Sequence, residues 1–392
     1  MSRLKELIDR LCPDGVPFVK LGDYINIYTG DQFNKRDMST SGSYPVVNGG
    51  INPSGFIESY NEPRDTISIS QGGASAGYVA WQDTPFWAGA HCFVIRPNSK
   101  LIINRFLYFF LKNKESYLQQ MQHGAGIPAL NRDKVKELKF PLVPIEVQEE
   151  IVRILDTFCA YAAELQAELQ ARKEQYEYYR NLLLTFNPSA CGCGTDGEQE
   201  IKANTTGEGF TPPLLINVNV IWRTMGEIAR IYSGSNKQKL SRGKFPVYGS
   251  TGIIAYCNNP TYRKQQILIA RVGANAGFTH LTTSDKYDVS DNTLIVDLNG
   301  IYNLKFIFHY LVNYNPNRLA KGGGQPLITA SEIKKIYIPI PPIEVQEKIV
   351  AILDRFETLV NDLTQGLPAE IAAVRERYEY YRNKLLTFKR IA

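Results

Sequence analysis

PIEVQEEIVRILDTF, residues 144–158, returns 198 residues later as PIEVQEKIVAILDRF, residues 342–356. A second string, YEYYRNLLLTF at 176–186, returns as YEYYRNKLLTF at 378–388, an offset of 202. Weaker matches keep the same order. LGDYINIYTG at 21–30 pairs with MGEIARIYSG at 225–234, and ISISQGGASAGY at 67–78 pairs with ILIARVGANAGF at 267–278. GAGIPALNRDKVKEL at 124–138 pairs with GGGQPLITASEIKKI at 322–336. Repetition on this scale sets the architecture before any single element is considered. The expected layout is a globular part at 1–143, a long helix at 144–186, a linker at 187–213, a second globular part at 214–341 and a second long helix at 342–392. The helices are nearly identical and the globular parts have diverged. Drift after duplication would not spare the helices so selectively, so the globular parts are expected to face different partners on a common frame.

Each globular part reads as α+β. Alternating stretches such as Ile67–Gln71 and Ile267–Arg271 are expected to be strands ending in glycine-rich turns, and Asn104–Asn113 and Asn303–Asn313 short buried helices. Residues 187–213 (NPSACGCGTDGEQEIKANTTGEGFTPP) are rich in Gly, Thr and Pro and read as a flexible connector.

In the first long helix the apolar positions Val147, Ile151, Leu155, Phe158, Ala162, Leu165, Leu169, Tyr176, Tyr179, Leu183 and Phe186 advance by threes and fours, with Arg172 filling the one gap, as in a coiled coil. The second inserts consecutive four-steps at Leu363, Leu367 and Ile371, a stutter that unwinds a supercoil locally. Gly366 and Pro368 stand at the same place, so a kink is expected there. Some forty residues make a rod of ~60 Å. Antiparallel pairing along the shared seam would place the globular parts at opposite ends, related by a pseudo-twofold axis.

The 392 residues are 44% hydrophobic and 21% charged, with net charge +5. No apolar run approaches the ~18 residues of a membrane helix; Phe106–Leu111 is far too short. The opening MSRLKELIDRLC is charged and amphipathic, unlike an export signal. Six cysteines without one do not form a disulfide framework. A cytoplasmic protein with no membrane role is expected. The modest net charge hides opposing regions. The first globular part carries 16 Lys+Arg against 13 Asp+Glu and the second 15 against 6, whereas the first helix has 4 against 8. Positive charge therefore sits where a polyanion would be held. Lys237, Lys239, Arg242 and Lys244 cluster in the second part near Tyr248, Tyr256 and Tyr262. Gln32, Asn34, Lys35 and Arg36 take a similar place in the first. Such side chains meet base edges or phosphates, and Gln71 and Arg271, ending equivalent strands, join them as candidate DNA contacts.

Catalytic patterns fail one after another. GCGTDG at 192–197 matches a dinucleotide fingerprint in letters, but no strand precedes it. Cys191 and Cys193 have no second ligand pair for zinc. Asn259-Pro-Thr-Tyr262 lacks the second proline of an adenine-methyltransferase turn, and no glycine-rich cofactor segment accompanies it, so packing or a nucleic-acid contact is expected for Tyr262. The four histidines show no metal spacing. No catalyst, metal or cofactor is expected. The turns Gly73–Gly77 and Gly273–Gly277 either offer backbone amides to phosphates or reverse the strands.

Two diverged globular parts, each followed by a helix opening in P-x-E-x-Q-x-x-I-x-x-I-L-D, resemble the specificity subunit of type I restriction-modification systems along the whole chain. The resemblance implies two target-recognition domains, each reading half of a split, asymmetric double-stranded DNA sequence. It implies an antiparallel coiled coil that spaces them and docks two methyltransferase subunits, joined by restriction/translocase subunits, and no catalysis by this chain. Tyr176, Tyr179, Tyr378 and Tyr381 are candidate contacts for those partners. The tandem tetrapeptides Ala163–Gln166 and Ala167–Gln170 (AELQ twice) resemble the family's repeats whose number sets the gap between half-sites. Gln325 in GGGQP matches the family, whereas the first repeat has Ile127 there, so Gln325 alone is a DNA candidate. Two other classes remain: an enzyme with unrecognised motifs, which would bind a cofactor, and a protein-binding scaffold, which would bind DNA without sequence preference.

Overall fold

Ile67 to Ser70 and Ile267 to Ala270, the alternating stretches of the two repeats, become the central strands of two four-stranded antiparallel sheets. The structure, a computed structural model, describes residues 2–98, 100–122, 128–186, 213–215, 218–235, 241–300, 302–322 and 324–391. The connector at 187–212, with Cys191 and Cys193, lies outside them. The chain divides into two units: Met1–Gln166 with Glu370–Ala392, and Ala167–Ala369.

In the first unit the sheet order is Ile25–Thr29, Cys92–Pro97, Thr66–Ser70, Val79–Gln82. Every residue of Thr66–Ser70 is buried, so both faces of the strand are covered. Ile67 and Ile69 join the main core with Phe106, Phe110 and Phe140. Ser68 and Ser70, on the other face, are bonded: Ser68 Oγ accepts from Gln82 at 2.9 Å, and Ser70 Oγ donates to the Gly49 carbonyl. Without partners each buried hydroxyl would cost roughly 1–3 kcal/mol. Phe56–Ile57, Tyr44–Val47 and Trp87–Ala88 form a small second sheet, and Phe18–Lys20 pairs antiparallel with Lys139–Pro141 where the chain enters and leaves the globular part.

The second unit repeats this topology. Ala229–Ser233, Thr293–Leu298, Ile267–Ala270 and Thr279–Leu281 form the large sheet, Gly252–Cys257, Phe245–Gly249 and Asp288–Val289 the small one, and Ile221–Thr224 pairs with Tyr337–Ile340. Its central strand departs on the second face. Where the first unit has Ser68, Leu268 packs with Tyr248, Tyr287, Val289 and Ile295.

The first long helix is continuous over Ile145–Leu184. Its residues 145–166 belong to the first unit and 167–184 to the second, and the division falls between the two tetrapeptides. In the first unit it runs antiparallel to the helix Leu367–Leu385. Phe158 stacks on Tyr381 at 5.4 Å, and three residues further on Tyr161 donates to Glu370 at 2.6 Å. In the second unit it runs antiparallel to Ile343–Asn361. Tyr179 stacks on Phe356 at 5.6 Å, while Leu183 and Leu184 share a core with Ile349 and Leu353.

This explains why the helix ends repeat. Leu385, Leu386 and Phe388 close the core of the first unit, and Leu183, Leu184 and Phe186 that of the second. Each globular part is thus completed by the end of the other repeat's helix. In the first unit the closing segment also pairs with Val16, which donates to Lys389 O at 2.9 Å and accepts from Ile391 at 3.1 Å.

The second long helix, expected as one kinked rod over 342–392, is two helices, Ile343–Asn361 and Leu367–Leu385. Asp362 makes the break. Its Oδ1 accepts from Thr364 N at 2.7 Å and Thr364 Oγ1 at 2.6 Å, bonds that hold its carboxyl below the ordinary value. A side chain that captures local amides competes with helix continuation. Leu363 turns out to solvent at 79% exposure. Gly366 sits against the Thr358 and Leu359 carbonyls with no room for a Cβ. Among the described residues no helix is long and apolar enough to cross a membrane.

Candidate nucleic-acid interface

Each globular part is latched to its own helix by a glutamine buried in the first turn. Gln148, fully buried, accepts the Ile103 N–H at 2.9 Å and donates to Leu101 O and Val143 O, both at 2.7 Å. Gln346, 2% exposed, accepts the Asn303 N–H at 3.0 Å and donates to Pro341 O at 2.8 Å. Two turns on, Asp156 meets Arg105 at 2.7 Å and Asp354 meets Lys305 at 2.5 Å. The Arg105 guanidinium also lies over Trp81, 4.6 Å from its ring centroid. His309, Asp354 and Glu357 bring three possible metal ligands within 4.8 Å of one another, but Asp354 already pairs with Lys305 and His309. Burial pushes the His309 imidazole down, against the Asp354 hydrogen bond that raises it.

At the outer edge of the first unit's large sheet, Gln32 and Asn34 follow Gly30 and line an open recess with Phe33, Met38, Asn48 and Ser54. Phe33 stands edge-on to Trp87 at 5.1 Å, and Trp87 Nε1 donates to Asp31 O. Asn48 Oδ1 accepts from His91 N at 3.0 Å, and His91 O accepts from Gln71 N at 2.9 Å. These bonds tie the Gln71 backbone, through His91, to Asn48 of the recess that Gln32 and Asn34 line. Arg36 is exposed in the short turn Lys35–Asp37, whose first residue is Lys35. Asn48 was not singled out from sequence; the Asn48-Gly49-Gly50 turn was its only signal.

In the second unit Arg271 takes the place of Gln71. Its N–H donates to Asn292 O at 2.9 Å and its carbonyl accepts from Ile328 N at 2.9 Å, matching the bonds of Gln71 to His91 O and from Leu130 N. Nη1 reaches Ser233 Oγ at 3.3 Å, and Nε is buried without a partner. Among the described residues no carboxylate lies within 4.0 Å of Arg271, Arg242, Lys244 or Arg263, whereas Lys264 is paired with Asp297 at 2.5 Å. Gln325 is exposed next to Pro326, whose carbonyl accepts from Gly273 N at 3.0 Å. Arg271 and Gln325 therefore share one edge. Arg242 and Lys244, both exposed, precede the strand Phe245–Gly249, so Lys244 lies up to ~20 Å and Arg242 up to ~26 Å of extended chain from Ser250, whose Oγ meets Asn292 O near Arg271. Lys237 and Lys239 lie outside the described residues.

Of the aromatic neighbours, Tyr248 is buried and Tyr262 stacks on Tyr287 at 5.5 Å, which gives Tyr262 a packing role. Tyr256 is exposed. Phe278 is 53% exposed and stacks on His280 at 5.7 Å. Both ring nitrogens of His280 are buried without partners, and burial pushes its pKa down to about 4.

The glycine turns reverse strands. Gly73 N–H goes to Pro128 O and Gly77 N–H to Ser70 O; Gly273 N–H goes to Pro326 O and Gly277 N–H to Ala270 O. Gly77 and Gly277 have φ of +90° and +92° and lie against the backbone of Gln119 and Asn317, so both positions need glycine. The four candidate tyrosines lie half-buried in the helix seams. Tyr179 stacks on Phe356, Tyr381 on Phe158, Tyr176 lies 6.2 Å from Phe356, and burial pushes the Tyr378 phenol up. Tyr178 and Tyr380, beside them in the same motif, are 55% and 59% exposed.

Comparison with known proteins gives a consistent result. The family model for the type I restriction modification DNA specificity domain matches residues 13–174 and 219–373. A putative type I restriction enzyme specificity subunit of Haemophilus influenzae is 29% identical over 380 residues, covering 90% of each chain. The EcoR124I/EcoR124II specificity subunit of Escherichia coli is 27% identical over 99% of this chain and 97% of its own length. The crystal structure of a type I restriction-modification S subunit from M. genitalium shares the fold, with TM-score 0.62 and 18% identity over 95% of this chain and 96% of its own.

Proposed function

The chain belongs to the type I restriction modification DNA specificity family, and from that premise we propose that it reads a split, asymmetric DNA sequence with one globular part per half-site. The observation that carries this reading is the pair of matched edges. Two sheets of one topology hold different side chains at the equivalent position after the central strand, Gln71 in one and Arg271 in the other, with Gln32 and Asn34 on the first edge and Gln325 on the second. A common frame with different donors and acceptors is what reading two different half-sites requires. The +9 charge of residues 214–341 supports DNA over a protein ligand, and Arg242, Lys244 and Arg263, which have no carboxylate partner among the described residues, supply phosphate contacts. Lys35, Arg36, Lys237 and Lys239 are assigned the same role.

The chain itself performs no catalysis in this reading. It positions two methyltransferase subunits, and restriction/translocase subunits join them, in the cytoplasm where the DNA lies. Tyr178 and Tyr380 take the outward partner contacts, and the seam tyrosines Tyr176, Tyr179, Tyr378 and Tyr381 hold the helix faces that carry them. The test is selection from a random duplex pool by the chain in complex with its methyltransferase subunit. Two enriched blocks at a constant gap are expected; a single block, or enrichment without sequence, would overturn the reading.

A further inference from the structure

We infer that Gln71 and Arg271 are equivalent specificity-determining residues, Gln71 taking an adenine in one half-site and Arg271 a guanine in the other. This rests on the reading of the two units as half-site readers. The equivalence is geometric. Both residues directly follow the central strand, both are held at N–H and C=O by the same pair of backbone bonds, and both precede a glycine at φ near +80° (Gly73 at +80°, Gly273 at +81°). Their backbones are therefore pinned at the end of a buried central strand, the setting that a base-reading side chain needs.

The side chains differ in kind. Arg271 is half-buried, with no carboxylate within 4.0 Å among the described residues, a weak 3.3 Å bond from Nη1 to Ser233, and a buried Nε with no acceptor among them. A half-buried guanidinium with one weak bond keeps donors that an acceptor can take up. Guanine O6 and N7 satisfy it bidentately, and so would a phosphate. The first unit decides between them. Its equivalent residue is the neutral Gln71, and the recess tied to its backbone through His91 is lined by Gln32, Asn34, Asn48 and Ser54. Glutamine pairs bidentately with adenine N6 and N7, whereas at a phosphate it offers a hydrogen bond without the charge that arginine brings. A position that carries Arg in one unit and Gln in the other follows the base, since the phosphate is the same in both half-sites.

The test repeats the pool selection with Arg271→Gln and, separately, Gln71→Arg, each as full chain with the methyltransferase subunit and each checked by thermal unfolding. Arg271→Gln is expected to convert one G·C preference to A·T in one half-site, by on the order of tenfold or more, and to leave the other half-site and the gap as they were. Gln71→Arg is expected to do the reverse in the other half-site. An even loss of affinity with an unchanged motif would make Arg271 a phosphate contact and overturn the inference, as would unchanged motifs in both variants. A wild-type complex that selects no two-block sequence would sink the underlying reading too, a result distinct from variants that keep the wild-type motif.

Discussion

Replacing Gln148 by Met keeps nearly the same volume and removes three hydrogen bonds at the joint between the first globular part and its helix. The joint matters because it fixes the globular part on its helix, which the proposed reading of DNA requires. Ile103 N–H, Leu101 O and Val143 O lose their partner together. The bond to Leu101 O is part-buried, so water can replace it, whereas the bond to Val143 O is buried and that carbonyl is stranded. A stranded buried group costs about 1–3 kcal/mol and each lost bond about 0.5–1.5 kcal/mol. Together these give a local destabilisation of roughly 2–4 kcal/mol, since the recovered hydrophobic contact of Met offsets only part. Hydrogen exchange read by mass spectrometry is the assay of choice, because the second unit serves as internal control. Amides of residues 100–113 and 139–147 should exchange roughly 30- to 1,000-fold faster, and those of 303–314 at the wild-type rate. Gln346→Met should give the mirror result. Unchanged protection at 100–113 would refute the latch.

Inserting a third AELQ after Gln170 lengthens the continuous helix by ~6 Å, about two base-pair steps of ~3.4 Å. The selected gap should widen by one or two base pairs with both half-sites kept; an unaltered gap would count against the spacer role. His280 titrates near 4 when folded against an ordinary 6.5, so the unfolded chain takes up the proton first. Its stability contribution is full above about pH 6.5 and is lost as pH falls towards 4. His280→Phe should flatten that part of the stability profile in denaturant titrations, and an identical profile would show that the histidine is not buried as described. Gly366→Ala forces a Cβ onto the Thr358 and Leu359 carbonyls and should cost about 1–3 kcal/mol in thermal unfolding; a neutral result would mean the helix break is slack.

The duplication, the helices and the α+β class were legible because they rest on periodicity and self-similarity, which need only the sequence. The latch was not. Gln148 and Gln346 stand in PIEVQE, where a polar residue in a first helical turn reads as solvent-facing; only the fold shows the loop amides that take them inside. The break at Asp362 was foreseen as a kink from Gly366 and Pro368, but the Asp362–Thr364 capture that ends the helix is a side-chain contact that no periodicity reports. Tyr176, Tyr179, Tyr378 and Tyr381 fall on the three- and four-residue steps of the helix seams, so their inward face was legible, and packing against Phe356 and Phe158 agrees with that spacing rather than with outward partner contacts. At the recognition edges the exposed amides and cations were visible as types, whereas Asn48, Ser233 and Asn292 reach the site through strand pairing distant in sequence.

The central claim is that two halves of one chain each direct recognition of one half-site. It is tested most directly by expressing the chain with its methyltransferase subunit and mapping methylated adenines across the host genome by single-molecule sequencing. The account predicts one asymmetric motif in two blocks with a fixed gap, methylated in each block. Methylation at a single uninterrupted motif, or at adenines without any shared sequence, would contradict it.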